Sequence, residues 1–148
     1  IYKNEINSLY LSVIEKADFN IGKLNASAFK SLKRELKESF IFTGYFLHQK
    51  LVGFATSFIQ NNTIEANHIG IDYRYNIEYA VYQKMLYNYV KQGIHYNSTE
   101  LRLGRTAEEI KSTLGAEPVN MKLYARHRNS LSNTFIKPIF FKNVLYSL

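Results

Sequence analysis

Residues 40–72 read FIFTGYFLHQKLVGFATSFIQNNTIEANHIGID, and this stretch decides the fold. Segments 40–47, 51–60 and 63–72 are rich in Phe, Tyr, Ile, Val and Thr, and only His48-Gln49-Lys50 and Asn61-Asn62 separate them. Short β-rich runs joined by so few residues are hairpins, so the stretch predicts a three-strand antiparallel meander. Asn tolerates positive φ better than most residues, which suits Asn61-Asn62 to a tight primed turn.

On either side of the meander the apolar period lengthens from two to about three and a half residues. Over residues 4–17, Ile6, Leu9, Tyr10, Val13 and Ala17 make an amphipathic helix opened by Asn4. A second helix follows Gly22, capped by Asn25 or Ser27, with Phe29, Leu32 and Leu36 inward and Lys30, Lys33, Arg34 and Lys37 outward. That basic face reads as a solvated helix surface or as an anion site, and the first is the commoner use of lysines. After the meander, Ile77, Ala80, Val81, Met85, Leu86, Tyr89, Val90 and Ile94 predict a long helix capped by Asn76, with Glu78 in its first turn. A strand over 100–103 leads to Gly104, and Thr106 caps a helix over 107–114 with Glu109 at the capping-box position and Gly115 at its end. Residues 119–125 read as a further strand, and the tail from Asn129 is apolar and basic, with a break near Pro138.

This order predicts an α/β (α+β) fold with a mixed, mostly antiparallel central sheet flanked by helices. At 148 residues, 46% hydrophobic and 21% charged, the chain has the size and composition of one folded domain, 1–148. It opens on Ile1 rather than Met, so it is expected to be processed or to be the C-terminal part of a longer protein. No stretch of about 18 uncharged apolar residues occurs, so no integral membrane segment is expected and the cytoplasm is the default location.

Absences narrow the chemistry. Zero cysteines remove disulfides, thiolate nucleophiles and Cys-ligated metals. His48, His68, His95 and His127 are too far apart in sequence for a helical or hairpin ligand pair, so no metal is expected. The glycines at 22, 44, 53, 70, 93, 104 and 115 permit neither G-x-G-x-x-G nor a P-loop.

Two strand-to-helix junctions remain as places where backbone N–H groups could meet an anion. One runs from Gly70 to Asn76. The other is Leu103-Gly104-Arg105-Thr106, where a flexible Gly104, the bidentate donor Arg105, the hydroxyl of Thr106 and Lys111 on the following helix could hold phosphate or carboxylate, or could form a plain helix cap with two surface cations. Glu65, His68 and Asp72 on the third meander strand are the acid–base candidates, and strict alternation sets Glu65 on the opposite face from His68 and Asp72 unless a bulge intervenes. Tyr73, Tyr75, Tyr79, Tyr82 and Tyr124 could line a pocket or simply pack.

The block from His68 to Pro118 resembles the second half of a GNAT-type N-acyltransferase domain, of the branch related to BioF2-like and Fem-type acyl and aminoacyl transferases. The residues that carry the resemblance are Gly70-Ile71-Asp72, the helical stretch EYAVYQKMLY at 78–87 and, most specifically, LRLGRTAEEIKSTLGAEP at 101–118. The resemblance implies an acyl donor, usually acyl-coenzyme A, lying where two parallel strands splay apart, and direct attack by an amine. It implies that Ile69, Gly70 and Ile71 hold the donor and polarise its carbonyl, that Arg74 and Asn76 lie where pyrophosphate meets the long helix, and that Gly104, Arg105, Thr106 and Lys111 contact donor or acceptor. Glu65 or His68 then deprotonates the amine. This sequence departs from the family's glycine-containing loop: Arg74 is followed by Tyr75, Asn76, Ile77, Glu78 and Tyr79. Side chains there hinder backbone approach to a pyrophosphate, so an aminoacyl-tRNA or an acyl carrier stands beside coenzyme A as donor.

The expected activity is therefore acyl transfer to a small-molecule or other amino-group acceptor. Two other readings stand beside it. One is a degenerate GNAT-fold half-domain that binds an acceptor, the missing N-terminal domain or a second copy, its apolar tail over 131–148 packing there or on a membrane surface. The other is a basic nucleic-acid-binding module, motivated by a net charge of +7 and 12 tyrosines.

Overall fold

The computed structural model describes residues 2–17, 22–105, 107–120 and 128–129. The chain divides into two units, Ile1–Glu117 and Pro118–Leu148, and every regular element of the described residues falls in the first. β1 (Phe40–Leu47), β2 (Lys50–Gln60) and β3 (Thr63–Ile71) form the antiparallel meander, and β4 (Glu100–Arg102) joins parallel to β3, giving the order β1-β2-β3-β4. Their ends match the sequence reading to within a residue. Both hairpin turns carry positive φ at their two central residues, His48 and Gln49 in one and Asn61 and Asn62 in the other, as a primed turn requires.

α1 (Lys3–Ile14) and α2 (Ala26–Leu36) cover one face of the sheet, where Leu9, Tyr10 and Phe29 pack with Phe40, Leu51 and Phe54. Asn4 does not open α1: Tyr2 is the cap and makes no side-chain hydrogen bond. Asn25 caps α2 as expected, accepting from Ala28 N at 3.0 Å, while Asn7 of α1 accepts from Ala26 N at 2.7 Å and ties the two helices together. Lys33 is not an idle surface cation, because its Nζ lies 2.8 Å from Lys37 O and 3.0 Å from Phe40 O, closing α2 and pinning the start of β1.

The expected long helix is two helices. α3 (Tyr73–Tyr79) is capped by Asp72, Ala80 turns left-handed at φ 49 and interrupts the helix, and α4 (Val81–His95) follows. From there Val81, Met85, Leu86 and Tyr89 pack on Val52, Ala55 and Ile71, on the opposite sheet face. Gly53 makes this approach possible, since a Cβ there would stand 2.6 Å from Met85 Cε. Glu78 accordingly belongs to the end of α3, not to the first turn of the long helix.

α5 (Glu108–Ser112) is shorter than expected, and its cap is Ala107, left-handed at φ 60; Thr106 lies outside the described residues. Of the strand expected at 119–125, Val119 and Asn120 are irregular and the rest, with Tyr124, lies outside the described residues, as do His127 and the tail over 131–148.

Candidate functional site at the open end of the sheet

The site begins with a break in alternation. Ala55 pairs with Ile69 and Ser57 with Ala66, so Thr56 alone faces both Asn67 and His68, and β3 bulges there. The bulge is held by one side chain: Thr56 Oγ1 accepts from His68 N at 2.9 Å and donates to His68 O at 3.0 Å. Tyr89 of α4 in turn donates to Thr56 O at 3.0 Å. Thr56 and Ser57 are fully buried, and Ser57 donates to Gln92 Oε1 at 2.6 Å, so the polar pair in mid-strand is satisfied from α4 and from the bulge.

The bulge corrects the expected facing of the acid–base candidates. Glu65 stands opposite Phe58, which packs with the α1–α2 cluster, and the His68 ring meets Tyr10 and Phe29 of that same cluster at 5.6 and 5.7 Å. With one extra residue inserted, Glu65 and His68 share a face. Burial lowers the His68 pKa, keeping the imidazole neutral at pH 7, with Nδ1 3.4 Å from the Tyr10 hydroxyl. Glu65 is exposed, and among the described residues no basic nitrogen lies within 4.0 Å of its carboxylate.

Beyond Glu65 the sheet opens. The parallel ladder holds three rungs, Thr63–Glu100, Ile64–Leu101 and Glu65–Arg102, and the remainder of β3 to Ile71 has no strand beside it on that edge among the described residues. Gly104, at φ 78, passes close to Ala66 O, a conformation that favours glycine. Lys111 is 6% exposed and its Nζ donates to Gly104 O at 3.3 Å. It braces the loop from inside instead of reaching outward from the helix surface. Arg105 is exposed beyond the same glycine.

The proposed donor-binding residues separate into two groups. Ile69 and Ile71 turn their side chains into the α4 cluster, and Ile71 O is met by the Ser12 hydroxyl of α1. Gly70 is buried, and the space its side chain would fill belongs to Phe54 and to the backbone of Leu9. At the other junction, Asn76 still caps the longer helix, but from across the Ala80 break: its Oδ1 accepts from Tyr82 N at 2.9 Å. The N-terminus of α4 is thus partly closed by this chain's own carboxamide, and no glycine opens the 74–79 segment; these residues do not fit the expected pyrophosphate cradle. Arg74 is committed to Asp72 by two guanidinium contacts, at 2.8 and 2.6 Å, which hold the Asp72 carboxyl below its usual range.

Phe58, Gln60, Thr63 and Arg102, which the sequence reading did not single out, gather round Glu65. With Asn61 they line a cavity of about 260 Å³. The signal was present in register: once β2, β3 and β4 are aligned, Phe58–Glu65–Arg102 is one row across the sheet and Gln60–Thr63–Glu100 the next. Among the described residues no group of three or more His, Asp or Glu is placed to hold a metal ion, and no helix is long and apolar enough to cross a membrane.

This four-stranded mixed sheet flanked by helices has the fold of solved GNAT-type acetyltransferases. The solved structures similar to the chain include an aminoglycoside acetyltransferase, meta-AAC0020, from an uncultured soil metagenomic sample, determined with trehalose and with sisomicin. It matches at a TM-score of 0.59 and 14% identity over 84% of this chain and 88% of that one. The ribosomal-protein-alanine N-acetyltransferase of Brucella melitensis biovar Abortus 2308 matches at 0.60 and 12% identity, over 85% of this chain and 92% of that one. No family model matches the sequence, and no curated protein matches it either.

Proposed function

We propose that the chain is an acyltransferase that moves an acyl group from an activated donor to an amine by direct attack. The observation that carries this reading is the opening of the β3–β4 ladder just past the Glu65–Arg102 rung, beside the Thr56-clamped bulge. An extended acyl donor enters along the free edge of β3, where backbone groups near Ile69 and Gly70 orient it and polarise its carbonyl. Glu65 takes the proton from the incoming ammonium, directly or through one water. The amine nitrogen then attacks the acyl carbon; the C–N bond forms as the bond to the leaving thiol or hydroxyl breaks, and that group leaves with a proton. His68 is a positioning residue: neutral and wedged between Tyr10 and Phe29, it fixes the bulge, while Lys111 holds the Gly104 loop and Arg105 meets anionic parts of the donor.

The two acetyltransferase neighbours make acetyl-coenzyme A the first donor to test, and the aminoglycoside complex of one makes a small amine the first class of acceptor. The expected result is thiol release from acetyl-coenzyme A that depends on added amine and falls at least about tenfold in Arg105→Ala, a loss of about 1.4 kcal/mol of transition-state stabilisation, with the melting temperature unchanged. Full activity in Arg105→Ala removes that residue from the site. The closed α4 N-terminus favours a second reading, a donor without a pyrophosphate held there, such as an aminoacyl-tRNA or an acyl carrier. Failure of the folded chain to bind acetyl-coenzyme A by calorimetry selects it.

A further inference from the structure

We infer that the groove around Phe58 and Glu65 is the acceptor pocket and that it takes a polyhydroxylated primary amine of single-ring size; this rests on the acyltransferase reading and specifies its acceptor. The groove lies on the same sheet face as the α1–α2 cluster, at the β2–β3 hairpin end, and it adjoins the last rung before the ladder opens. Its cavity of about 260 Å³ is smaller than the roughly 300–1,000 Å³ typical of pockets for drug-sized ligands, so one ring fills it.

The chemistry of the lining selects the ring. Phe58 supplies an apolar platform, backed by Phe40 at 5.2 Å between ring centroids. Glu65 faces the platform in register and is the one carboxylate there without an ion pair among the described residues. Arg102 is on the same row; its guanidinium pairs with Glu100, at 2.9 and 3.0 Å, and the Glu65 charge acts on it as well. Glu65 and Glu100 set two carboxylates against the single guanidinium of Arg102, so a cation in the groove meets a net negative charge in a protein of net charge +7. Gln60, Asn61 and Thr63 complete the rim with carboxamide and hydroxyl groups, which can both donate to and accept from ligand hydroxyls. A purely aliphatic amine leaves these groups without bonds, and a neutral sugar leaves the excess carboxylate charge of the groove unmet.

The test uses the whole chain without any donor, with glucosamine as the probe. Cyclohexylamine lacks the hydroxyls, N-acetylglucosamine lacks the cation, and alanyl-glycinamide represents a peptide N-terminus. Amide-resolved NMR titration is expected to show glucosamine shifting residues 58–65 and 102, with a dissociation constant at least about tenfold below those of the three comparators. Glu65→Gln raises it about tenfold, and Gln60→Ala, an exposed truncation, raises it a few-fold. Glucosamine binding no tighter than the comparators, or binding indifferent to Glu65→Gln in a variant that melts like the wild type, overturns the inference. Because no donor is present, failure of acyl transfer leaves this binding result standing, whereas glucosamine binding that ignores both groove variants, in a wild-type chain that transfers acyl groups, overturns the pocket and spares the transferase reading.

Discussion

At the scale of single residues, the fold leans on positions where nothing can be added. Gly70 lies under the Phe54 ring and against the α1 backbone, and a Cβ there would stand 2.2 Å from Phe54 Cε1 and 2.8 Å from Leu9 C. Gly53 is also crowded, but its nearest neighbour is the far end of the flexible Met85 side chain, 2.6 Å away. Gly70→Ala is therefore expected to cost about 3 kcal/mol, the upper end for overpacking, and Gly53→Ala about 1 kcal/mol. Urea unfolding checks the order; equal costs would show that α1 is not seated on β3. His68 supplies the pH dependence. Burial lowers its folded pKa below the ordinary 6.5, so under acid the unfolded chain takes up a proton that the folded chain resists. Stability contributed by the neutral ring is present above 6.5 and falls as pH drops toward the folded value. Comparing urea midpoints at about pH 7.5 and about pH 5 is expected to show this loss, and His68→Phe to shrink it; an unchanged slope would place His68 in water.

At the scale of elements, the sequence reading succeeded where the signal was local and failed where it was not. The meander was legible because β-rich runs and two-residue turns are written in consecutive residues. The helix break at Ala80 was hidden, since Ala is the best helix former and apolar spacing runs on from Ile77 through Met85. The bulge was hidden because it is set by the neighbouring strand: Thr56 accommodates the extra residue of β3 by bonding both backbone groups of His68. Asn76 was recognised as a cap, but its helix begins five residues later, and the hydrogen bond to Tyr82 N spans the break. Asn76→Ala is expected to cost about 1 kcal/mol, the usual value of a lost cap, while Asn76→Asp retains the acceptor. Thermal melts that do not distinguish Asn76→Ala from the wild type would show that α4 holds its own N-terminus without help.

At the scale of the whole molecule, half of the candidate site was legible: Glu65 and His68 were singled out by residue type as candidates, whereas Phe58, Gln60, Thr63 and Arg102 came together only when three strands were laid in register. The net charge of +7 is the one global feature that the acyltransferase reading leaves unused, and its distribution decides what it can do. Arg34 pairs with Glu35, Arg74 with Asp72 and Arg102 with Glu100. Lys33 closes α2 on backbone carbonyls, and Lys111 is buried. A nucleic-acid interface needs cations gathered on one face beside exposed aromatics, so that several phosphates are neutralised at once and their counterions released. Here the described cations are divided among ion pairs, caps and separate elements. Binding to an arbitrary single-stranded oligonucleotide is accordingly expected to be weak, with a dissociation constant of about 10 µM or more at about 150 mM salt and a shallow salt slope. Fluorescence anisotropy across a salt series measures both quantities. Submicromolar binding with a slope equivalent to about six phosphates would show that the charge is organised into an interface after all, and would make an aminoacyl-tRNA, not a free thioester, the donor to pursue.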